Sequence, residues 1–261
     1  HVLGVSKYSS LSITPSPSIS PYWQTSSNFT VTATASDGIS GVDRVEFYYR
    51  YSPDNSSWGS WILFATDADA PWSSEFSSSS DGYYQFYSIA VDLAGNREDP
   101  PAQADASCGV DTTAPAVPVL VSPENDTYTS DNTPTLDWQG SSDLSGTRYV
   151  VVVDNDSAFS DGDNFYFKGE ITVSIHQLEN QLPDDRYYWR VRAVDGAGNF
   201  SEWSETRTIV VDIVSPTPVT LQSPENNSKF DDNTPEFRWT EKVDQWVPGG
   251  YENYLLQIDN D

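Results

Sequence analysis

Cysteine, histidine and basic residues are scarce in this chain of 261 residues. The single cysteine, Cys108, excludes an intramolecular disulfide framework and any CxxC-type metal knuckle. Lysine and arginine number 13 against 39 aspartates and glutamates, which gives a net charge of −26. A surface this anionic repels phosphate backbones, so the composition predicts no nucleic-acid binding.

Long apolar runs are missing too. No stretch approaches the roughly 18 to 20 apolar residues that cross a bilayer, which predicts no membrane insertion in this segment. The chain starts at His1, has no methionine and carries no signal segment, so we expect a processed or excised part of a longer protein. In contrast, 9 tryptophans, 15 tyrosines and 11 phenylalanines supply large side chains to bury, which predicts a folded chain.

One block of the sequence occurs twice. Residues 122–138 and 223–239 share Ser-Pro-Glu-Asn, Asp-Asn-Thr-Pro and a closing tryptophan in register. The phrases VDLAGN and VDGAGN begin at Val91 and Val194, and each is followed by a joint, VDTTAP or VDIVSP. These joints predict three modules, over residues 1–113, 114–213 and 214–261.

The third module is predicted to be the N-terminal half of a unit, because it lacks a counterpart of RYYWRVRAVDGAGNFSEW. We expect either a continuation of the parent chain beyond Asp261 or strands supplied by another molecule. In the second case the incomplete C-terminal module allows self-association, with residues 1–10 as the candidate donor strand. Neighbouring modules of the same parent chain are the other expected partners.

Apolar residues recur with a period of two, which is typical of β-strands. Tyr187, Trp189, Val191 and Ala193 share one face of a strand whose arginines occupy the other face. Short runs of this kind, bounded by turn residues, predict an all-β fold of tandem two-sheet sandwiches. The predicted strands are 29–35, 42–51, 61–66, 83–91 and 102–107, then 117–121, 135–138, 148–154, 164–168, 171–175, 187–194 and 206–211.

Several phrases resemble known extracellular modules. The pair Leu136 and Trp138 resembles the second-strand tryptophan motif of a fibronectin type III module. A second run resembles the penultimate strand and following loop of that family. It consists of Tyr187, Trp189, Val191, Ala193, Asp195, Gly198, Ser201, Trp203 and Ser204. The first module, with TVTATASDGISGVDRVEFYYR, YYQFYSIAVDLAGN and VDTTAP, is similar to bacterial and archaeal Ig-like repeats of surface proteins, although it lacks the Leu-x-Trp pair. The resemblance implies an Ig-like sandwich, a fibronectin type III-like sandwich and half of another.

Candidate catalytic residues are few. His176 stands alone after a strand, and we interpret it as a surface or edge-strand histidine. Cys108 lies near Asp105 and Asp111, whose charges raise the pKa of a thiol, so an inert, partly buried cysteine is predicted. The sequence has no glycine-rich phosphate loop, and its many carboxylates have no spacing that identifies a glycosidase pair. We predict no catalytic and no organic cofactor-binding residues.

Oxygen ligands are concentrated at the joints, and carboxylate, amide and carbonyl oxygens are the ligands that calcium prefers. Asp37 and Asp143 lie in two similar loops, SDGISG and SDLSG. Ordinary turn formation is the alternative explanation, because aspartate and asparagine accept hydrogen bonds from the backbone two residues on. The candidate calcium ligands are Asp92, Asn96 and Asp111 at the first joint and Asp195, Asn199 and Asp212 at the second.

Two further kinds of surface site are predicted. Trp58, Trp61 and Trp72 are close in sequence, and exposed rings of this kind stack on sugars, although core packing or edge capping is the favoured interpretation. Asn-x-Ser/Thr sequons mark candidate glycosylation sites. They lie at Asn55, Asn125, Asn226, Asn155, Asn199 and Asn28.

Together these features predict a non-catalytic, extracellular structural repeat region, acting as a semi-rigid stalk, an adhesin or a component of a surface filament or sheath. The joints contain proline, which fixes φ and limits bending. The alternative is a set of carbohydrate-binding or protein-binding accessory modules of a secreted multidomain hydrolase. A glycan or a surface protein would then be the ligand.

Overall fold

The computed structural model describes residues 10–14, 23–160, 166–231, 234–240 and 255–258. Within these ranges the regular secondary structure consists of β-strands, and no helix long and apolar enough to cross a membrane is found there. The predicted all-β class is therefore confirmed. Every strand pairing joins strands of the same predicted module.

The first module contains two sheets. One has the order β2-β8-β7-β4-β5 and the other has the order β1-β3-β6. Its core comes from the alternating residues that period-two patterning turns inward, among them Phe29 and Val31 of one sheet and Phe47 and Phe86 of the other. The strands are β1 (Ser10–Thr14), β2 (Trp23–Gln24), β3 (Asn28–Thr34), β4 (Val42–Ser52), β5 (Ile62–Asp67), β6 (Ser73–Ser77), β7 (Gly82–Asp92) and β8 (Ala106–Val110).

The second module repeats this design. A five-stranded sheet of order β10-β16-β15-β12-β13 belongs with a three-stranded sheet of order β14-β11-β9. Trp138 and Trp189 are almost completely buried in the core, as the alternation of their strands predicted. The strands are β9 (Val119–Ser122), β10 (Thr127–Thr129), β11 (Thr135–Gln139), β12 (Thr147–Asp154), β13 (Tyr166–Ile171), β14 (Ile175–Gln177), β15 (Asp185–Asp195) and β16 (Arg207–Val211).

The outer face of β15 carries a ladder of cations and rings. The guanidinium of Arg192 lies over Phe200 and Trp203, and that of Arg190 lies over Trp203 and Phe159. Cation–π attraction of this kind grows when the ring excludes water from the cation. The arginines predicted on the solvent side of this strand are thus covered by aromatic side chains.

Two short strands of the third module are described, β17 (Leu221–Ser223) and β18 (Arg238–Trp239). They pair antiparallel, as β9 and β11 do in the second module. Phe237 and Trp239 are half-buried, while the alternating residues Glu236 and Arg238 are exposed, which keeps the predicted alternation. The repeat in the sequence is therefore a repeat in the fold.

Some predicted strands were wrong. Residues 171–175 are not one strand, because Ile171 ends β13 and a turn precedes Ile175 of β14. The last strand of the first module is β8, not residues 102–107. The sequence also missed β6, whose SSEFS buries only Phe76, and the short β2 and β10, which pair parallel with the last strand of their modules. The start of predicted strand 164–168 lies outside the described residues.

Candidate metal centre at the first joint

Strand direction corrects the predicted ligand grouping at the first joint. Val110 at the end of β8 pairs with Gly82 at the start of β7, so Asp111 lies at that end of the module. Asp92 lies at the other end of β7, an 11-residue strand. At roughly 3.3 Å per residue the two ends are more than about 30 Å apart. Asp92 and Asn96 therefore cannot share an ion with Asp111.

The same correction applies to the second module. Val211 pairs with Asp185 at the start of β15, whereas Asp195 ends that strand. Asp212 consequently lies at the opposite end of the module from Asp195 and Asn199. The predicted set of these three residues was wrong for the same physical reason as the first.

The structure instead brings together one residue from each predicted set, Asp111 and Asp195, with Asp143, which belonged to neither set. Asp111 of the first module meets Asp143 and Asp195 of the second, and one carboxylate oxygen from each lies within 4.8 Å of the others. This is the one such acidic or metal-ligating group of three found among the described residues. Asp111 and Asp195 are buried and Asp143 is half-buried. The centre is thus built across the joint.

Asp195 is positioned by the loop that follows β15. Its Oδ1 accepts hydrogen bonds from the backbone N–H of Gly198, at 2.6 Å, and of Asn199, at 2.8 Å. The side-chain amide of Asn199 donates to Asp195 Oδ2 at 2.7 Å and to the backbone carbonyl of Asp111 at 2.9 Å. Asn199 therefore ties the Asp195 loop to the end of the first module.

Asp143 is brought to the centre by close contact between two loops. Its Oδ1 accepts the backbone N–H of Ser145 at 3.2 Å, and the hydroxyl of Ser145 accepts the backbone N–H of Ala197 at 3.1 Å. A Cβ on Gly196 would lie 2.2 Å from the carbonyl oxygen of Ser145, so only glycine permits this approach. The VDGAGN phrase thus provides both a ligand and the space beside it.

The three carboxyl groups lie close enough together for their negative charges to repel one another. Asp111 is 1% exposed, and its Oδ2 has no hydrogen-bond donor although it is buried. Burial, the adjacent carboxyl of Asp111 and the charge of Asp195 raise the pKa of Asp143 to about 6. Either a proton or a bound cation therefore has to offset the negative charge at this centre.

The first module has the same two loops, and among its described residues no third carboxylate joins them. Hydrogen bonds from Ser40 lower the pKa of Asp37, the counterpart of Asp143. The side chain of Asn96 lowers the pKa of Asp92, the counterpart of Asp195. At Asp143 the pKa shifts in the opposite direction, first because of burial and then because of the neighbouring carboxyl of Asp111, which the joint brings close.

The linker of the first joint is held from both sides. Asp81 of the first module accepts the backbone N–H and the hydroxyl of Thr112 and the hydroxyl of Thr113. The hydroxyl of Ser141 in the second module donates to the carbonyl of Ala116 at 2.7 Å. The two prolines of this linker, Pro115 and Pro118, are buried. This segment is therefore packed and not merely tethered.

The second joint is less enclosed in the described residues. Asp184 accepts the backbone N–H of Ile213 at 2.8 Å, much as Asp81 holds the first linker. Asp212, the counterpart of Asp111, accepts the N–H of Val214 within its own turn. Pro216 is exposed, in contrast to its buried counterpart Pro115 in the first linker.

Two families of immunoglobulin domains match separate parts of the sequence. A bacterial Ig domain matches residues 10–88, and a Rha78A-like N-terminal immunoglobulin domain matches residues 122–213. The matches fall on the two sandwiches described above. Residues 10–88 and 122–213 are therefore similar to Ig domains, and these two segments are called the Ig-like modules below. The resemblance seen in the sequence is thereby confirmed.

Solved structures similar to these Ig-like modules are fibronectin type III-like. The CbhA fibronectin(III)-like modules of Clostridium thermocellum share 17% identity, with 77% of this chain and 93% of theirs covered and a TM-score of 0.42. The FN1–FN3 domains of chicken CNTN1 share 15% identity, with 73% and 65% covered and a TM-score of 0.39. A Fn3-like protein of Clostridium thermocellum shares 22%, with 40% and 99% covered and a TM-score of 0.29. No curated protein matches the chain.

Modules of these families fit a structural or accessory role. They are generally non-catalytic and often extracellular. Similarity to Ig domains therefore narrows the set of possible roles without identifying a ligand.

The histidine and cysteine of the Ig-like modules are both engaged in the fold. His176 lies on the edge strand β14, where its Nε2 is 2.6 Å from the hydroxyl of Tyr166, and burial lowers its pKa. Cys108 is buried, and burial raises the pKa of its thiol to about 12. The cause is loss of water, not the charges of Asp105 and Asp111 that the sequence suggested.

The three tryptophans of the first Ig-like module lie in two places. Trp72 packs against the hydrophobic core. Trp58 and Trp61 are half-buried on the outer face, where the guanidinium of Arg50 lies over both rings, at 5.1 and 4.6 Å from their centroids. Arg50 therefore occupies a surface that a sugar would need for stacking.

Five of the six sequon asparagines are exposed, and Asn199 is half-buried. Because the Asn199 amide donates to Asp195 and Asp111, a glycan on that nitrogen would remove contacts at the joint. The exposed sequons stay predictions as glycosylation sites. They are Asn28, Asn55, Asn125, Asn155 and Asn226.

Proposed function

We propose that the chain is a non-catalytic, extracellular repeat region that acts as a semi-rigid spacer, as in a stalk or a surface filament. The observation that carries this proposal is the first joint, where side chains of both modules hold one linker. Asp81 binds it from one side, and Ser141 and Asn199 bind it from the other. A linker fixed in this way favours one relative orientation of its neighbours.

The packing of each module supports the same role. The core of the first Ig-like module contains residues between Phe29 and Val110, and that of the second contains residues between Leu120 and Val211. Because neither cluster includes a residue of the other, each module can carry load without borrowing core from its neighbour. The net charge of −26 keeps separate chains apart in solution.

Adhesion through a donor strand is less well supported at the N-terminus. Ser10 to Thr14 pair antiparallel with Thr34 to Thr30 of the same chain. The end of the predicted donor segment is therefore already used within the first module, and residues 1–9 lie outside the described residues. A spacer role does not require strand exchange.

Small-angle X-ray scattering of the intact chain tests the spacer. A compact chain of 261 residues has a radius of gyration of about 18 Å. We expect a clearly larger value and an elongated distance distribution, because 11-residue strands run end to end in successive modules. A radius of gyration near that of a sphere would show modules folded back on each other and would contradict the proposal.

A further inference from the structure

The centre of Asp111, Asp143 and Asp195 combines three features that call for a ligand. Its three carboxylate oxygens converge within 4.8 Å, although their charges repel. Asp111 and Asp195 are 1% and 0% exposed, so little solvent reaches them to screen that repulsion. In addition, Asp111 Oδ2 is buried and no donor in the described structure binds it. Turn formation alone does not explain a buried acceptor without a donor.

The donor set selects the class of ligand. Only hard oxygen donors meet at the centre, so the soft ligand sets of zinc and copper are missing from this group. Two oxygens bound to one calcium ion lie at most about 4.8 Å apart, because each Ca–O bond is about 2.4 Å long, so oxygens that all lie within 4.8 Å of one another can share a calcium ion. Magnesium requires a tighter octahedron with bonds of about 2.0 to 2.1 Å. Calcium accepts carboxylate oxygens in flexible geometries, and it is therefore the hard cation that a group of three aspartates suits best.

We propose that Asp111, Asp143 and Asp195 form one calcium site that fastens the first Ig-like module to the second. Asp111 directly follows the last strand of one module, whereas Asp143 lies in a loop and Asp195 at the end of a strand of the next. The ion offsets three like charges and joins the two modules directly. Its departure frees Asp111 to move away from the two loops.

Calcium binding at the centre and stiffening of the joint by the bound ion can be tested separately. Calcium binding follows from the geometry of the centre alone, whereas the mechanical consequence rests on the proposed spacer function. A calcium titration measures binding, and a distance measurement between the two modules measures stiffening. A failure of the spacer proposal would therefore leave the binding result intact.

Calcium titration of the intact, chelator-treated chain by isothermal calorimetry tests the site, in buffer containing sodium chloride to screen the acidic surface. We expect saturable calcium binding, with a dissociation constant on the order of 10⁻⁴ to 10⁻³ M. The Asp143→Asn variant should bind one calcium fewer than the parent chain, or bind that ion at least about tenfold more weakly, because a charged ligand is lost. Magnesium chloride serves as the probe for non-specific counterion binding.

The matched control is Asp37→Asn, which changes the corresponding loop of the first module, where no group of three carboxylates is found among the described residues. It should leave the calcium stoichiometry unchanged. Circular dichroism checks that each variant is folded, and Asp111→Asn provides a second test from the other module. That residue lies outside the loop that Asp143 shapes.

Several results would overturn the site. They are no calcium binding by the parent chain at millimolar concentration, unchanged binding in both Asp143→Asn and Asp111→Asn, or an equal loss in Asp37→Asn. Magnesium heats that match those of calcium and survive both site variants would show that the acidic surface binds divalent ions without a specific centre. Loss in both site variants with retention in the control supports the proposal.

Discussion

Replacing Trp189 with alanine is expected to destabilise the second Ig-like module by about 3 to 5 kcal/mol and leave the first nearly unchanged. Trp189 is 0% exposed and lies in the middle of β15, so its removal leaves a large cavity in the core. For a module of this size the expected fall in melting temperature is more than about 10 °C. Calorimetry should show one thermal transition moving while another stays in place.

The reciprocal variant is Phe86→Ala, which removes a fully buried ring from the first module. It should move the other transition, because the two cores share no residue. If both variants moved a single common transition, the modules would unfold as one cooperative unit. That result would contradict the description of separate sandwiches.

Gly196→Ala is expected to separate the loops that carry Asp143 and Asp195. The added Cβ would lie 2.2 Å from the backbone carbonyl oxygen of Ser145, and no side-chain rotation relieves that overlap. Overpacking of this kind costs about 1 to 3 kcal/mol, so the second module should melt earlier. Calcium binding should weaken as well, because two of the three proposed ligands move apart.

Gly169→Ala is the control for this variant, since its Cβ would meet only the ring of Phe167 at an ordinary 4.0 Å. The first module supplies a natural comparison. It has Leu93 at the position of Gly196, and that side chain is 66% exposed. Equal stability and equal calcium affinity in Gly196→Ala and the parent chain would show that the loop approach has no role.

Much of the fold could be predicted because, in a two-sheet protein, the apolar residues that alternate along a strand are the ones that point into the core. Trp138, Trp189 and Val191 were placed in the core by spacing alone, and all three are buried. Strands that contribute little core were missed. In β6 only Phe76 is buried, and β10 is three residues long, so neither leaves a clear pattern in the sequence.

The site residues were visible in the sequence but their grouping was not. Asp111 and Asp195 were predicted as ligands, and Asp143 was noted in its loop. Neighbours along the chain were grouped together, whereas an antiparallel strand carries Asp92 and Asp195 to the end of the module opposite Asp111 and Asp212. Following the direction of each strand would have placed Asp111 beside Asp195, because the end of one module meets the start of the next.

The ladder of Arg190, Arg192 and Trp203 could not be found by periodicity. Alternation placed both arginines correctly on the face away from the core. It carries no information about a loop returning over that face, as the segment with Phe200 and Trp203 does. The solvent-side arginines of β15 are therefore covered by the segment that follows this strand in the chain.

Distances between spin labels on the two modules test the central claim, a calcium-held joint, most directly. Ala94→Cys and Ser130→Cys place labels on exposed residues at opposite ends of the two-module unit, and the buried thiol of Cys108 resists labelling. Pulsed electron paramagnetic resonance should give one narrow distance distribution with calcium and a broader one after chelation. Identical distributions in the two conditions would contradict the claim.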